Sequence, residues 1–301
     1  MSKILISGGT GFIGQAITNA LLKKGAFVRI LTRDSSKISK IFGSANVEGI
    51  EGDITKPASL SKALEGIDIV IQCAQFPGHP VENPRRGYTY WQVDALGTEN
   101  LAKAAKQAEV KHLIYISGAG TNEFRTEPWF RAKWHAEQAI RSSGITSTIL
   151  RPSWVYGPGD KSLNKIIKMI KKFPLFPLFG SGNNHIQPIF VENLAEIVSL
   201  CVDYQKKDCV FDVGGPEEMT NKEMMKRVAK ILGRKVLFVP IPKLLIKMGT
   251  FPLKFLPKPP LTPQTVNFLT MDVKIDIAPL KKAFPQLRLK TIEEGGAYVN
   301  R

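Results

Sequence analysis

The segment Gly8-Gly9-Thr10-Gly11-Phe12-Ile13-Gly14 has the clearest chemical consequence in this chain. Glycine has no Cβ, so a turn built from it lets the backbone pass close to a phosphate, and the free N–H groups of a following helical turn then face the anion. A tight turn with no ligand uses the same residues, so context decides between the two. The apolar run Ile4-Leu5-Ile6 precedes the turn, Ile17, Ala20, Leu21 and Leu22 follow it at helical spacing, and a second strand is expected at 27–31. That order is the βαβ unit which holds a dinucleotide pyrophosphate.

The next informative residues stand at the expected end of the second strand, Leu31-Thr32-Arg33-Asp34. NAD-preferring sites usually place a carboxylate there to accept hydrogen bonds from the ribose 2′-hydroxyl. Counting from the glycine loop puts Thr32 at that place with Arg33 beside it, and a guanidinium suits a 2′-phosphate through charge and a planar donor fork. NADP(H) is therefore expected over NAD(H). In the alternative, Arg33 is a solvated charge and Asp34 contacts the ribose.

The elements that must carry these residues alternate through the first half. Strands are expected at 4–7, 27–31, 47–51, 67–72, 112–117 and 147–151, with helices at 14–24, 58–64 and 97–108. Such alternation predicts an α/β fold, a Rossmann-type doubly wound parallel sheet. After Pro152 the sequence breaks into short pieces rich in proline and glycine, which predicts a smaller, mixed C-terminal substrate lobe. The expected division is a dinucleotide-binding core over 1–157, completed by about 186–213, and a lobe over 158–185 and 214–301. Within the lobe, Thr220-Asn221-Lys222-Glu223 predicts a helix start in which the threonine caps and the glutamate reaches back to the cap's N–H.

Composition narrows the function classes. Cys73, Cys201 and Cys209 form no C-x-x-C pair, and His79, His112, His135 and His185 lack metal-ligand spacing, so no bound metal is expected. No apolar stretch reaches the roughly 18 residues of a membrane span, and Met1-Ser2-Lys3 leads straight into the first strand, which implies a cytoplasmic protein. The net charge is +16, from 42 basic and 26 acidic residues, and no acidic residue lies between Glu223 and Asp272. Two lysine-rich apolar stretches, 165–179 and 243–258, suit either packing over a substrate cleft or a peripheral membrane contact, through apolar side chains turned down and ammonium groups toward lipid phosphates. An acidic or phosphorylated substrate would also suit this charge. Nucleic acid is not expected, because the basic stretches lack interleaved aromatic platforms and a known binding motif.

Taken together, the glycine loop, Gly52-Asp53-Ile54, Cys73-Ala74-Gln75, the run from Asp94 to Asn100, the run from Leu150 to Gly159, Val191-Glu192-Asn193-Leu194-Ala195 and Phe211-Asp212-Val213-Gly214-Gly215-Pro216 resemble the extended and atypical short-chain dehydrogenase/reductases, the group of nucleotide-sugar epimerases and dehydratases. The tail from Pro260 to Asp272 and Thr291-Ile292-Glu293-Glu294-Gly295 is similar to the atypical branch holding the nucleotide-binding accessory subunit of respiratory complex I and its bacterial relatives. The resemblance implies cofactor contacts from Gly8, Thr10, Gly11, Phe12, Ile13 and Gly14. It also implies that Asp53 and Ile54 lie at the adenine, that Cys73, Ala74 and Gln75 lie beneath a ribose, and that Pro152, Ser153 and Val155 line the cofactor.

Active members of that group use Tyr-x-x-x-Lys on one helix face, where i and i+4 side chains project together, with a serine near the end of the fifth strand. The matching segment here, Glu127 to Lys133, has Trp129 at the tyrosine position, and an indole N–H donates but does not titrate near neutrality. No tyrosine in the chain is followed four residues later by lysine. Lys133 is expected to remain a cofactor ligand, Ser117 is the candidate serine, and Gly118 stands where a second serine is common. Tyr156, on the Val155-Tyr156-Gly157-Pro158 turn, is a substitute acid or a wall of the pocket. The expectation is a cofactor-binding, redox-sensing or accessory module with little classical turnover. The alternative is an active oxidoreductase or epimerase/dehydratase that uses Tyr156 or a water as its acid.

Overall fold

The computed structural model describes residues 2–43, 46–204, 206–242, 271–272 and 274–300. The lysine-rich stretch at 243–258, the prolines at 257–260 and the 260–270 part of the tail lie outside the described residues. The chain forms two units. The first comprises Met1–Pro152, Val191–Val213 and Asp276–Leu287, and the second comprises Ser153–Phe190, Gly214–Ile275 and Arg288–Arg301.

In the first unit, β1 (Lys3–Ser7), β2 (Phe27–Thr32), β3 (Val47–Glu51), β4 (Ile69–Gln72), β5 (His112–Ile116), β6 (Thr146–Pro152) and a seventh strand, Cys209–Val213, make one sheet. The order is seventh, β6, β5, β4, β1, β2, β3, and each pairing is parallel. The central strands are covered on both faces, which is why they are unbroken apolar runs rather than alternating ones; Ile4, Leu5, Ile6, Ile69, Val70 and Ile71 are all buried. The order reverses between β1 and β4, and in open α/β sheets that crevice, at the carboxyl ends of the strands, is where ligands bind.

Helices α1 (Phe12–Lys23), α2 (Lys37–Phe42), α3 (Ser61–Leu64), α4 (Gly97–Gln107) and α5 (Pro128–Ser142) flank the sheet. α1 buries Gly14, Ile17, Thr18 and Leu21, one stripe of a 3.6-residue repeat. The helix expected over 58–64 is two pieces, a 3-10 turn at Pro57–Ser59 and the single turn of α3. A π-helical segment, Tyr90–Leu96, precedes α4 and has no sequence counterpart in the expectations. Cys209–Val213 is likewise a strand that the expectations lack.

The second unit is made of short pairings. Val155–Tyr156 runs parallel to Ile189–Phe190, Leu175–Phe179 parallel to Leu237–Ile241, and His185–Ile186 antiparallel to Met219–Thr220. Leu163, Ile167 and Ile170 of the helix Lys161–Lys172 turn into this unit's core with Tyr156, Phe176, Met224 and Val228. The apolar side of that basic helix is thus occupied by packing. Thr220 caps Asn221–Ile231 by accepting from the Glu223 N–H at 3.1 Å. The reciprocal glutamate contact occurs at another helix, Ile292–Gly296, where Thr291 and Glu294 complete both halves of a capping box.

Candidate functional site

The glycine turn begins directly after β1. Gly8 has φ +82°, and a Cβ on it would stand 2.7 Å from the Ala74 backbone, so the turn and the loop after β4 touch only because the side chain is absent. A Cβ on Gly14 would fall 2.2 Å from the Gly8 carbonyl oxygen. A Cβ on Gly11 would meet, among the described residues other than its chain neighbours, only the Gly8 oxygen, at 3.2 Å. Gly11 caps α1 without a side-chain hydrogen bond, and the first turn carries no acidic residue. The donors there suit a pyrophosphate: amide N–H groups with no competing carboxylate, at the positive end of the helix dipole.

At the end of β2 the Thr32 hydroxyl exchanges contacts with Asp34, accepting from its N–H at 3.2 Å. The Asp34 carboxylate accepts from Ser36 Oγ at 2.6 Å and pairs with Lys37 at 3.2 Å, and the Ser36 and Lys37 contacts hold it below the usual carboxylate range. Arg33 is exposed, with its guanidinium 5.6 Å from the Tyr88 ring centroid and 3.4 Å from the Tyr88 hydroxyl. Past β3, one oxygen of Asp53 accepts from the N–H and hydroxyl of Thr55, while Ile54 is buried and fills the space above Gly97.

The loop after β4 lies against the glycine turn. Cys73 donates its N–H to the Ser7 carbonyl at 3.0 Å, and the Ala74 N–H reaches Gln72 Oε1 at 3.3 Å. Gln75 is exposed. Lys133 is buried on α5; its Nζ donates to the Ile116 carbonyl at 3.3 Å, pairs with Asp94 Oδ1 at 3.5 Å and lies 5.2 Å from the Tyr115 ring centroid. Asp94 is fully buried, and its Oδ2 accepts from the Phe76 N–H at 3.4 Å. Burial raises its carboxyl to about 6, against the lowering effect of Lys133. Nearby, the Tyr90 hydroxyl is 2.9 Å from His79 Nδ1, and both rings meet Phe76 edge to face. Asp94 is absent from the sequence expectations as a site residue. Its signals were its place at the start of the run from Asp94 to Asn100 and a charge set between Val93 and Ala95.

Trp129 lies one turn before Lys133 on α5 and is half-buried. A Cβ on Gly118 would stand 2.1 Å from the indole, so the ring occupies the space a side chain at 118 would need. Ser117 is buried and donates to Glu137 Oε1 at 2.6 Å. The same carboxylate receives Arg151 at 2.9 and 2.6 Å. Ser117, the candidate serine of the sequence reading, thus directs its proton into a buried ion pair. Tyr156 belongs to the second unit, is fully buried, and donates to the Thr291 carbonyl at 3.2 Å. Burial is the main cause that raises its phenol above the ordinary value, which argues against a proton shuttle there. Pro152 ends β6 and accepts from the Ala119 N–H at 2.9 Å, whereas Ser153 and Val155 lie in the second unit.

The second unit also carries a basic groove, lined by Lys226, Lys230, Arg234 and Lys235 over Ala229 and Phe238. Among the described residues no helix is long and apolar enough to cross a membrane.

A sheet of this order with a glycine turn at its switch point defines a nucleotide-binding α/β protein. The family described as NAD(P)H-binding matches residues 8–173, more than half of the chain, and the chain belongs to it. It is similar to the mitochondrial NADH dehydrogenase [ubiquinone] 1 alpha subcomplex subunit 9 of Arabidopsis thaliana, with 26% identity over 92% of this chain and 71% of the relative. It is also similar to UDP-glucose 4-epimerase of Vibrio cholerae, with 24% identity over 97% of this chain and 92% of that enzyme. Among solved structures, the Bordetella bronchiseptica enzyme WbmH in complex with NAD+ shares the fold at TM-score 0.74 and 17% identity, covering 99% of this chain and 96% of that one. These relatives place the family among the atypical, epimerase/dehydratase-like short-chain dehydrogenase/reductases.

Proposed function

We propose that this protein is an NADP(H)-binding module that holds its cofactor for redox sensing or as an accessory part of a larger redox assembly, with little classical turnover. The observation that carries this reading is the indole of Trp129 pressed on Gly118, in a chain that keeps an intact glycine turn. The Gly8–Gly14 turn and the first amides of α1 would hold the pyrophosphate, Arg33 the 2′-phosphate, and Asp53 and Ile54 the adenine. Lys133 would hold ribose hydroxyls. When bound, the dinucleotide supplies a hydride donor or acceptor. The two hydroxyls that the sequence reading offered for moving a proton, those of Ser117 and Tyr156, are both engaged elsewhere.

Arg33 supports the NADP(H) preference because no carboxylate among the described residues pairs with it, while Asp34 is occupied by Ser36 and Lys37. The accessory role is supported by the similarity to an NADH dehydrogenase subunit, and co-purification of partners tests it. The catalytic question is tested by incubating purified protein with NADPH and a panel of carbonyl and sugar-nucleotide compounds. The expected result is no product above background. Substantial turnover that disappears in Lys133→Ala would overturn the non-catalytic reading.

A further inference from the structure

On the cofactor reading above, the sheet order and the glycine turn together suggest a course for the dinucleotide. The glycine turn sits on β1, and Arg33 and Asp53 end β2 and β3 on one side of it. On that reading, the adenosine half would lie over those strands, and the nicotinamide half would then extend over β4 and β5, on the other side of the switch point. There the Phe76 N–H following β4 and the Ile116 carbonyl ending β5 hold Asp94 and Lys133 together. A carboxylate and an ammonium, each buried, form a unit of zero net charge.

We propose that Asp94, through its ion pair with Lys133, sets how strongly this site prefers the oxidised or the reduced cofactor; the inference rests on the cofactor reading above. An oxidised nicotinamide ring carries a positive charge and the reduced ring does not. A lone buried ammonium repels the oxidised ring, and the repulsion is large where the effective dielectric is low. With Asp94 ionised, Lys133 still offers an N–H to ribose while its charge is cancelled. The aspartate thereby acts as a positioning and charge-compensating residue.

The charge state of the pair can change near neutrality. The Asp94 carboxyl is raised to about 6 by burial, so it is ionised above that value and neutral below it, where the uncompensated ammonium remains. Of the other groups facing the pair, Cys73, His79, Tyr90 and Tyr115 are all shifted away from neutrality. Burial raises Cys73 to about 12, with Lys133 opposing. His79 sits on an exposed stretch, but desolvation of its ring and the Lys133 charge lower it to about 4. Tyr90 and Tyr115 are both raised, chiefly by burial and further by Asp94. Glu82, which accepts from the Tyr90 N–H, and Glu137, which acts on Tyr115, are the remaining acidic neighbours.

The test is calorimetric titration of the whole protein with NADP+ and with NADPH, separately, at roughly pH 5.5 and pH 8, on either side of the Asp94 transition. Asp94→Asn at the higher pH is expected to move the affinity ratio toward NADPH by about tenfold, on the order of 1.4 kcal/mol. Lys133→Gln is expected to move it the opposite way, and native protein at the lower pH to shift in the same direction as Asp94→Asn, by a smaller factor. The native pH comparison needs no substitution, so a variant that fails to fold does not remove the test. If native protein binds both forms and the ratio is unmoved by pH and by both substitutions, the inference is wrong while the cofactor reading stands. If native protein binds neither form, both fall.

Discussion

Trp129 and Gly118 fit as a pair: the indole needs the space that any side chain at 118 would take. Gly118→Ser is therefore expected to destabilise the protein by about 1–3 kcal/mol, the usual cost of overpacking. Combining it with Trp129→Ala should recover most of the added loss, because the collision partner is gone. A double-mutant cycle in urea measures this, and a sum of independent effects would count against the packing account. At this scale the sequence exposes whatever is carried by spacing. Trp129 and Lys133, four apart, stand one turn apart on α5, and the glycine turn needs no Cβ where its residue types predicted none. The Asp94–Lys133 pair was not legible, because the two groups stand 39 positions apart and meet only when the π-helical segment packs against α5.

Between elements, Glu137 ties α5 to two strands at once. Its carboxylate is fully buried, receives the Ser117 hydroxyl following β5 and takes a two-pronged contact from Arg151 on β6. Removing one partner of a buried ion pair leaves the other uncompensated. Glu137→Ala should accordingly cost about 3–5 kcal/mol, read as a lower urea midpoint with little change in slope. A loss below about 1 kcal/mol, the range of exposed pairs, would show that the pair is effectively solvated. β1, β4 and β5 were visible as apolar runs because strands buried on both faces have no polar alternation to hide them, whereas the edge strand β3, Val-Glu-Gly-Ile-Glu, is partly exposed and mixes apolar with charged residues. The strand Cys209–Val213 lies far along the chain from β6, and its pairing is a tertiary event that local pattern does not encode. The helix expected over 58–64 failed because Pro57 opens a 3-10 turn, leaving only one turn of α-helix to follow.

On the scale of the whole molecule, the first unit is a nucleotide-binding sheet with its switch point between β1 and β4, and the second is a set of short strand pairs and helices around Tyr156. The α/β class was legible because alternating strand and helix segments admit few topologies. The second unit was legible only as a change in texture, since its strands run from two to five residues and carry no period. Four of the chain's 42 basic residues line one groove at the end of the helix Asn221–Ile231. The central claim, that this sheet holds NADP(H), is tested most directly by calorimetric titration of the purified chain with NADPH and with NADH in one buffer. The account predicts NADPH binding at least about tenfold tighter, a gap of ~1.4 kcal/mol, that closes in Arg33→Ala. Equal or tighter binding of NADH, or no binding of either, would contradict it.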